Sequence, residues 1–299
     1  MNDNNYFVGV DIGGTKISIV FFEGEKIVKK VKFETNPPNG PTIKNPEIIT
    51  NNIIKNIIEF KDNINALGIA TTGIIENGKW SVLNKKIMGN FKNFPLVKNI
   101  KDQLNKPVFA FGDTEAAALG EFRFGSGKNL SDFFYITVST GVGGGMILDK
   151  KLYSKSPNLA GAFGHMVIIK DGNICGCGRR GCIEAYSSGT AIEAVLRKIN
   201  KKLSIKDLFL KYNQEKWANK IITDSAKVIA EGIVNITFLL GIKNFIIGGS
   251  IGLSDIFFKQ IKICLKMITK EKIKIIRAGL RNDAEVYGCL AKSIIGENK

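Results

Sequence analysis

Residues 6–35 read YFVGVDIGGTKISIVFFEGEKIVKKVKFET, and the order of elements in this stretch decides the class of fold. The apolar run over 6–11 predicts a buried strand. Gly13 and Gly14 predict a tight turn, KISIVFF a returning strand, and the alternating KIVKKVKF a third. Strand, glycine turn, strand is not the strand–glycine–helix order of a dinucleotide or Walker site.

Outward from this meander the chain alternates helices and strands. NPPNGP (36–41) predicts a loop, and Asn45 predicts the cap of a helix that starts at Pro46 and buries the pairs Ile48–Ile49, Ile53–Ile54 and Ile57–Ile58. NALGIATTG predicts a strand ending in a glycine turn, VKNIKDQL a short helix, PVFAF a strand closed by Gly112 and Asp113, and TEAAALGEF a helix. The order then repeats. FFYITVSTGVGGGMIL is again strand, glycine turn, strand. Helices follow at about 182–200, 204–213 and 217–240, then the strand NFIIGGS, a helix at about 253–269, the strand EKIKIIRA and a last helix capped by Asp283. Two halves, each opening on a strand hairpin around glycines, predict two α/β domains with a cleft between them. The expected division is residues 1–111, completed by the helix 284–299, and residues 112–283 with a metal-binding segment at 165–182.

The chain has 299 residues, 44% of them hydrophobic, and a formal net charge of +16. Its lysines are scattered in ones and twos, with no arginine-rich tail and no basic–aromatic repeat, so no nucleic-acid partner is expected. The opening residues carry no basic, then apolar, leader pattern, and no apolar run approaches the roughly 18 residues of a membrane span. The expectation is a cytoplasmic protein without membrane attachment. Five cysteines, an odd number, argue against a disulfide framework.

Three glycine turns end buried strands. In DIGGTK, Gly13 and Gly14 let backbone N–H groups approach phosphate oxygens, Thr15 and Lys16 add a hydroxyl and a charge, and Asp11 can hold Mg²⁺ directly or through water. STGVGGG (139–145) and IIGGS (246–250) repeat the device. Each alone reads equally as an empty hairpin turn; together they point to a nucleotide. Asp113, at a strand end and a helix start, is either a plain cap or a carboxylate placed to accept the proton of an attacking hydroxyl.

His165, the single histidine, is followed by Cys175, Cys177 and Cys182 in CGCGRRGC. Cys₃His is a zinc ligand set, and four protein ligands leave no open position, so the expected zinc is structural; unligated thiols are the alternative. Arg179 and Arg180 are expected to offset the thiolates. The metal would pin the backbone of Glu184, which is then either a grip for a polar substrate or a solvated first-turn glutamate.

The ordered set DIGGTK, GD…AAALGE, TVSTGVGGG, AGAFGH and CGCGRRGCIE resembles the ROK family (repressors, open reading frames and sugar kinases) over residues 7–293. The resemblance implies an actin-like, ribonuclease H-like two-domain sugar kinase fold. It implies transfer of the γ-phosphate of ATP to a sugar hydroxyl with Mg²⁺, a structural zinc and a homodimer. IATTGIIENGKWSVLN, FPLVKNI and TVSTGVGGG are similar to bacterial N-acetylmannosamine kinases, which implies N-acetylmannosamine 6-phosphate as product; glucokinase or another hexose kinase is the alternative. Asp113 resembles the base. Asp11, Gly13, Gly14, Thr15 and Lys16 resemble the first phosphate segment, Thr140, Gly141 and Gly143 the second, and Gly248 and Gly249 the turn beside the adenosine. His165, Cys175, Cys177 and Cys182 resemble the zinc ligands. Gly73, Asn84, Gly112, Asp113, His165 and Glu184 fall at positions of the sugar site. Gly112 and Ala162 depart from the family's Asn and Glu, each of which binds a sugar hydroxyl. A sugar-responsive repressor and a weak sugar-binding remnant are the rivals. With the first strand starting by residue 7, no room is expected for a preceding DNA-binding domain.

Overall fold

The computed structural model describes residues 5–35, 45–82, 88–155 and 159–297; the loop expected at 36–41 and Asn84 lie outside them. The chain divides into two compact units, one built from Met1–Lys128, Leu152–Ala160 and Asp283–Lys299, the other from Asn129–Lys151 and Gly161–Asn282.

The first unit opens with β1 (Tyr6–Ile12), β2 (Lys16–Glu23) and β3 (Lys26–Glu34), the predicted meander. Ile17 to Phe22 of β2 are buried without a break, as expected of a strand covered on both faces. β3 is an edge, and Lys26, Lys29 and Lys30 along it are exposed, which discourages pairing with another chain. Then come α1 (Pro46–Ile57), β4 (Ile64–Thr71), the small hairpin β5 (Ile74–Glu76) and β6 (Lys79–Ser81), α2 (Leu96–Leu104), β7 (Val108–Gly112) and α3 (Asp113–Phe124). Asn45 caps α1 as predicted, its Oδ1 accepting from the N–H groups of Glu47 at 2.8 Å and Ile48 at 3.1 Å. The sheet order is β3-β2-β1-β4-β7, with β1 antiparallel to β2 and parallel to β4.

The second unit repeats this order as β10-β9-β8-β11-β12. Its strands are β8 (Phe133–Val138), β9 (Val142–Leu148), β10 (Lys151–Leu152), β11 (Asn244–Gly248) and β12 (Lys274–Arg277). β8 is antiparallel to β9 and parallel to β11. Its helices are α4 (Glu184–Ser187), α5 (Gly189–Ile199), α6 (Ile205–Lys211), α7 (Lys216–Leu240) and α8 (Asp255–Ile268). The single helix expected over 182–200 is two. Ser188 turns extended (φ −74°, ψ 156°), and its hydroxyl accepts from Ala191 N–H at 3.1 Å to start α5 afresh. Two copies of one strand order, each with a glycine turn after its first strand, form the actin-like, ribonuclease H-like fold.

The last helix, α9 (Ala284–Glu297), lies across β1 and β4 of the first unit and against α3. Glycines permit the approach. A Cβ at Gly68 would stand 2.5 Å from the carbonyl oxygen of Cys289, and one at Gly288 would stand 1.9 Å from that of Ala116. This crossing seats α3, and with it Asp113, on the sheet.

Candidate active site and metal centre

Within the first unit the structure brings Asp11 and Asp113 near one another. Asp11 lies one residue before the end of β1, half-buried between buried Val10 and Ile12 and paired with Ser18 and Ala70. Asp113 is the first residue of α3, one past its N-cap Gly112, and its Oδ1 accepts from Thr114 N–H at 2.7 Å, which fixes the carboxylate without making Asp113 the cap. Burial, then the negative charge of Asp113, push the Asp11 carboxyl up to about 7 against the opposing pull of Lys16. An acidic pair with this excess of negative charge suits a divalent cation. Gly13 N–H is closed onto Lys16 O at 3.0 Å, and Thr15 and Lys16 are exposed at the turn. Gly73 has φ +105°, and a Cβ there would meet Ser81 O at 2.5 Å. The β4–β5 turn is further held by Trp80, whose Nε1–H donates to Thr72 O at 2.9 Å.

Within the second unit the other two glycine turns meet. The hydroxyls of Ser139 and Ser250 are 3.2 Å apart, and the N–H groups of Ile251 and Gly252 both donate to Val138 O at 3.0 Å. Gly249 has φ +81°, with no room for a side chain beside Val138 O, 2.3 Å from where its Cβ would be. Gly248 ends β11 over the ring of buried Tyr135. Thr140 gives its carbonyl to Thr190, accepting from both N–H and Oγ1, and Gly143 pairs with Thr137 inside the β8–β9 ladder.

The metal tetrad assembles as the spacing predicts. One ligand atom from each of His165, Cys175, Cys177 and Cys182 lies within 4.8 Å of the others. Cys175 Sγ is 3.6 Å from His165 Nδ1, and Cys177 Sγ is 3.8 Å from Cys182 Sγ. A tetrahedron with Zn–S of about 2.3 Å and Zn–N of about 2.0–2.1 Å has edges of about 3.6 and 3.8 Å, so the donor set fits zinc. Arg179 donates to His165 O at 3.1 Å; burial raises the Cys182 thiol, and the charge of Arg179 is only a weaker opposing pull on it. Arg180, expected beside the thiolates, instead ties the loop by donating to Gly172 O at 3.1 Å.

Glu184 begins α4 and reaches the second glycine turn. Its Oε2 accepts from Val142 N–H at 3.1 Å, and Oε1 lies 3.9 Å from Cys175 Sγ. A Cβ on Gly141 would crowd that carboxylate at 2.9 Å. Between α4 and α7 the Ser187 hydroxyl donates to Ser225 O at 2.8 Å, and the Ser225 hydroxyl donates to Tyr186 O at 3.0 Å. Tyr186 OH accepts from Asn173 N–H at 2.6 Å in the metal loop. Glu184 is therefore no loose first-turn residue.

Residues 7–293 match the model of the ROK family. The chain belongs to the ROK family. Among its ROK relatives, an N-acetylmannosamine kinase of Haemophilus influenzae is 37% identical over 250 residues, covering 83% of this chain and 81% of that one. An N-acetylmannosamine kinase of Pasteurella multocida is 34% identical over 264 residues, 87% and 86% of the two chains. Among solved structures, a ROK family glucokinase from Streptomyces griseus in complex with glucose and AMPPNP superposes with a TM-score of 0.77 at 28% identity, covering 95% and 98%.

Sequence reasoning missed two carboxylates near Asp113. Burial, then the charges of Asp11 and Asp113, hold Glu285 in the first turn of α9 well above the usual carboxylate range. Glu115 is buried in the first turn of α3. Nothing in the sequence marks either as buried.

Proposed function

We propose that this ATP-dependent sugar kinase of the ROK family transfers the γ-phosphoryl group of ATP to the 6-hydroxyl of N-acetylmannosamine. The observation that carries the chemistry is Asp113, fixed at the start of α3 through its bond to Thr114 N–H and close to Asp11. The curated relatives supply the sugar.

In this reading Asp113 accepts the proton of the 6-hydroxyl as it attacks. In the first unit the 13–16 turn, and in the second the 139–145 and 246–250 turns, would offer phosphate oxygens those backbone N–H groups that are not already bonded within the protein, as Gly13 N–H is to Lys16 O. Asp11 would hold Mg²⁺, directly or through water; the ion, when bound, offsets phosphate charge. His165, Cys175, Cys177 and Cys182 would hold zinc, which supplies rigidity and no chemistry. Glu184, held from the metal loop side and by Val142 N–H, accepts a sugar hydroxyl. Gly112 and Ala162 remove two side-chain contacts of the family, so sugar selection differs from that of members that keep them.

Asp113→Asn tests the reading. The expected result is a kcat on N-acetylmannosamine lower by about 10²–10⁴-fold with little change in KM for either substrate. A kcat near wild type would overturn the assignment of the base.

A further inference from the structure

Two residues beyond Asp113 lies a carboxylate that the reaction as described does not use. Glu115 is 2% exposed. Its Oε2 accepts from Gly112 N–H at 3.1 Å, while Oε1 is buried and makes no hydrogen bond of ordinary length and angle, the Ser154 hydroxyl and the Lys292 charge being the polar groups near the carboxyl. Helix polarity favours an acidic residue in a first turn, but an exposed one satisfies that preference at no desolvation cost. A buried carboxylate with one oxygen poorly matched costs stability, and an apolar side chain of similar size would pack the same space better. Such an exception in a folded chain calls for a reason other than stability.

The bond it makes supplies one. Gly112 is the last residue of β7, paired with Thr71, and immediately precedes Asp113. Glycine has the widest backbone freedom, and at the helix N-cap it offers no side chain to hold the first turn. Glu115 fixes the amide on one side of Asp113, and the Asp113 carboxylate is itself bonded to the Thr114 amide on the other.

We infer that Glu115 is a positioning residue: by holding the Gly112 amide it aims the Asp113 carboxylate at the acceptor hydroxyl, at the expense of stability. The inference rests on Asp113 being the base. In phosphoryl transfer, small misplacements of a reacting group are costly, about 10²-fold for about 1 Å.

The test compares Glu115→Gln, Glu115→Leu and Glu115→Ala with Asp113→Asn, reading kcat, both KM values and the melting temperature of each purified full-length variant. Glu115→Gln keeps a carbonyl for the Gly112 amide and is expected to hold kcat within about twofold, because the hydrogen bond rather than the charge does the positioning. Glu115→Leu removes the acceptor and is expected to lower kcat about tenfold or more, with both KM values within about twofold and a melting temperature equal to or above wild type. Glu115→Ala gives the same kinetic reading if the leucine variant does not fold. Wild-type kcat in the leucine and alanine variants would overturn the inference. So would an equal loss in the glutamine variant, or a loss of kcat that only tracks a falling melting temperature. An inactive Asp113→Asn beside a normal Glu115→Leu would reject the positioning role alone; an active Asp113→Asn would reject the base beneath it.

Discussion

Asp113 and Glu115 show how differently two carboxylates two residues apart are used. Asp113 sits at the strand-to-helix junction with its carboxylate bonded to the next amide. Glu115 is buried, and desolvation raises its pKa against the weaker opposing pull of Ser154, the Gly112 amide and Lys292. A carboxyl raised in the folded state binds more protons than the unfolded chain once pH passes the ordinary carboxylate range. Below that range both states are protonated and nothing is lost; above it, stability falls as pH rises. The melting temperature of Glu115→Gln should therefore exceed that of wild type by a margin that grows with pH from the carboxylate range towards neutrality. A margin independent of pH, in thermal melts across that range, would contradict the buried-charge description. The place of Asp113, just past a strand end at a helix start, was legible in the sequence. Glu115 was not. In TEAAALGEF small and apolar residues run round the helix with no clear polar face, so nothing sets this glutamate apart as buried, and with Gly112 at the N-cap only the half of a capping box that runs from the glutamate to the cap amide is present.

At the scale of elements, the α3–α9 crossing carries Asp113 at the start of α3. Gly120 faces the carbonyl of Ala284 and Gly288 that of Ala116, each too close for a Cβ. Gly288→Ala should destabilise the protein by about 1–3 kcal/mol or more, read by urea unfolding, because backbone atoms and not flexible side chains would have to give way. Unchanged stability would mean that the helices do not approach as described. The metal segment makes a second prediction. Protein purified without added zinc should carry one zinc per chain, and Cys182→Ala, which removes a buried ligand, should lose it and melt at a lower temperature. A full zinc complement in that variant, by elemental analysis, would remove Cys182 from the ligand set. The tetrad was readable because its ligands fall within one short stretch and share one chemistry. The break at Ser188 and the β5–β6 hairpin were not readable. The first depends on a single serine hydroxyl choosing a helix amide, and the second is two three-residue strands held by contacts distant in sequence.

The whole molecule is two units with one strand order, each opening on strand, glycine turn, strand. That repeat was visible in the sequence, since β2 and β9 follow their turns directly and neither turn leads into a helix. The placement of the last helix against β1 was less visible, because the glycines that admit it, Gly9 and Gly68, lie inside strands and carry no pattern of their own. No helix among the described residues is long and apolar enough to cross a membrane. What the molecule does with this fold comes down to the hydroxyl it phosphorylates. The most direct measurement is an ATP-coupled assay of the purified protein on N-acetylmannosamine, glucose, mannose, fructose, glucosamine and N-acetylglucosamine, with the product's phosphorylated position read by NMR. The account predicts the highest kcat/KM for N-acetylmannosamine and a 6-phosphate product; a clear preference for glucose, or no turnover on any sugar, would contradict it.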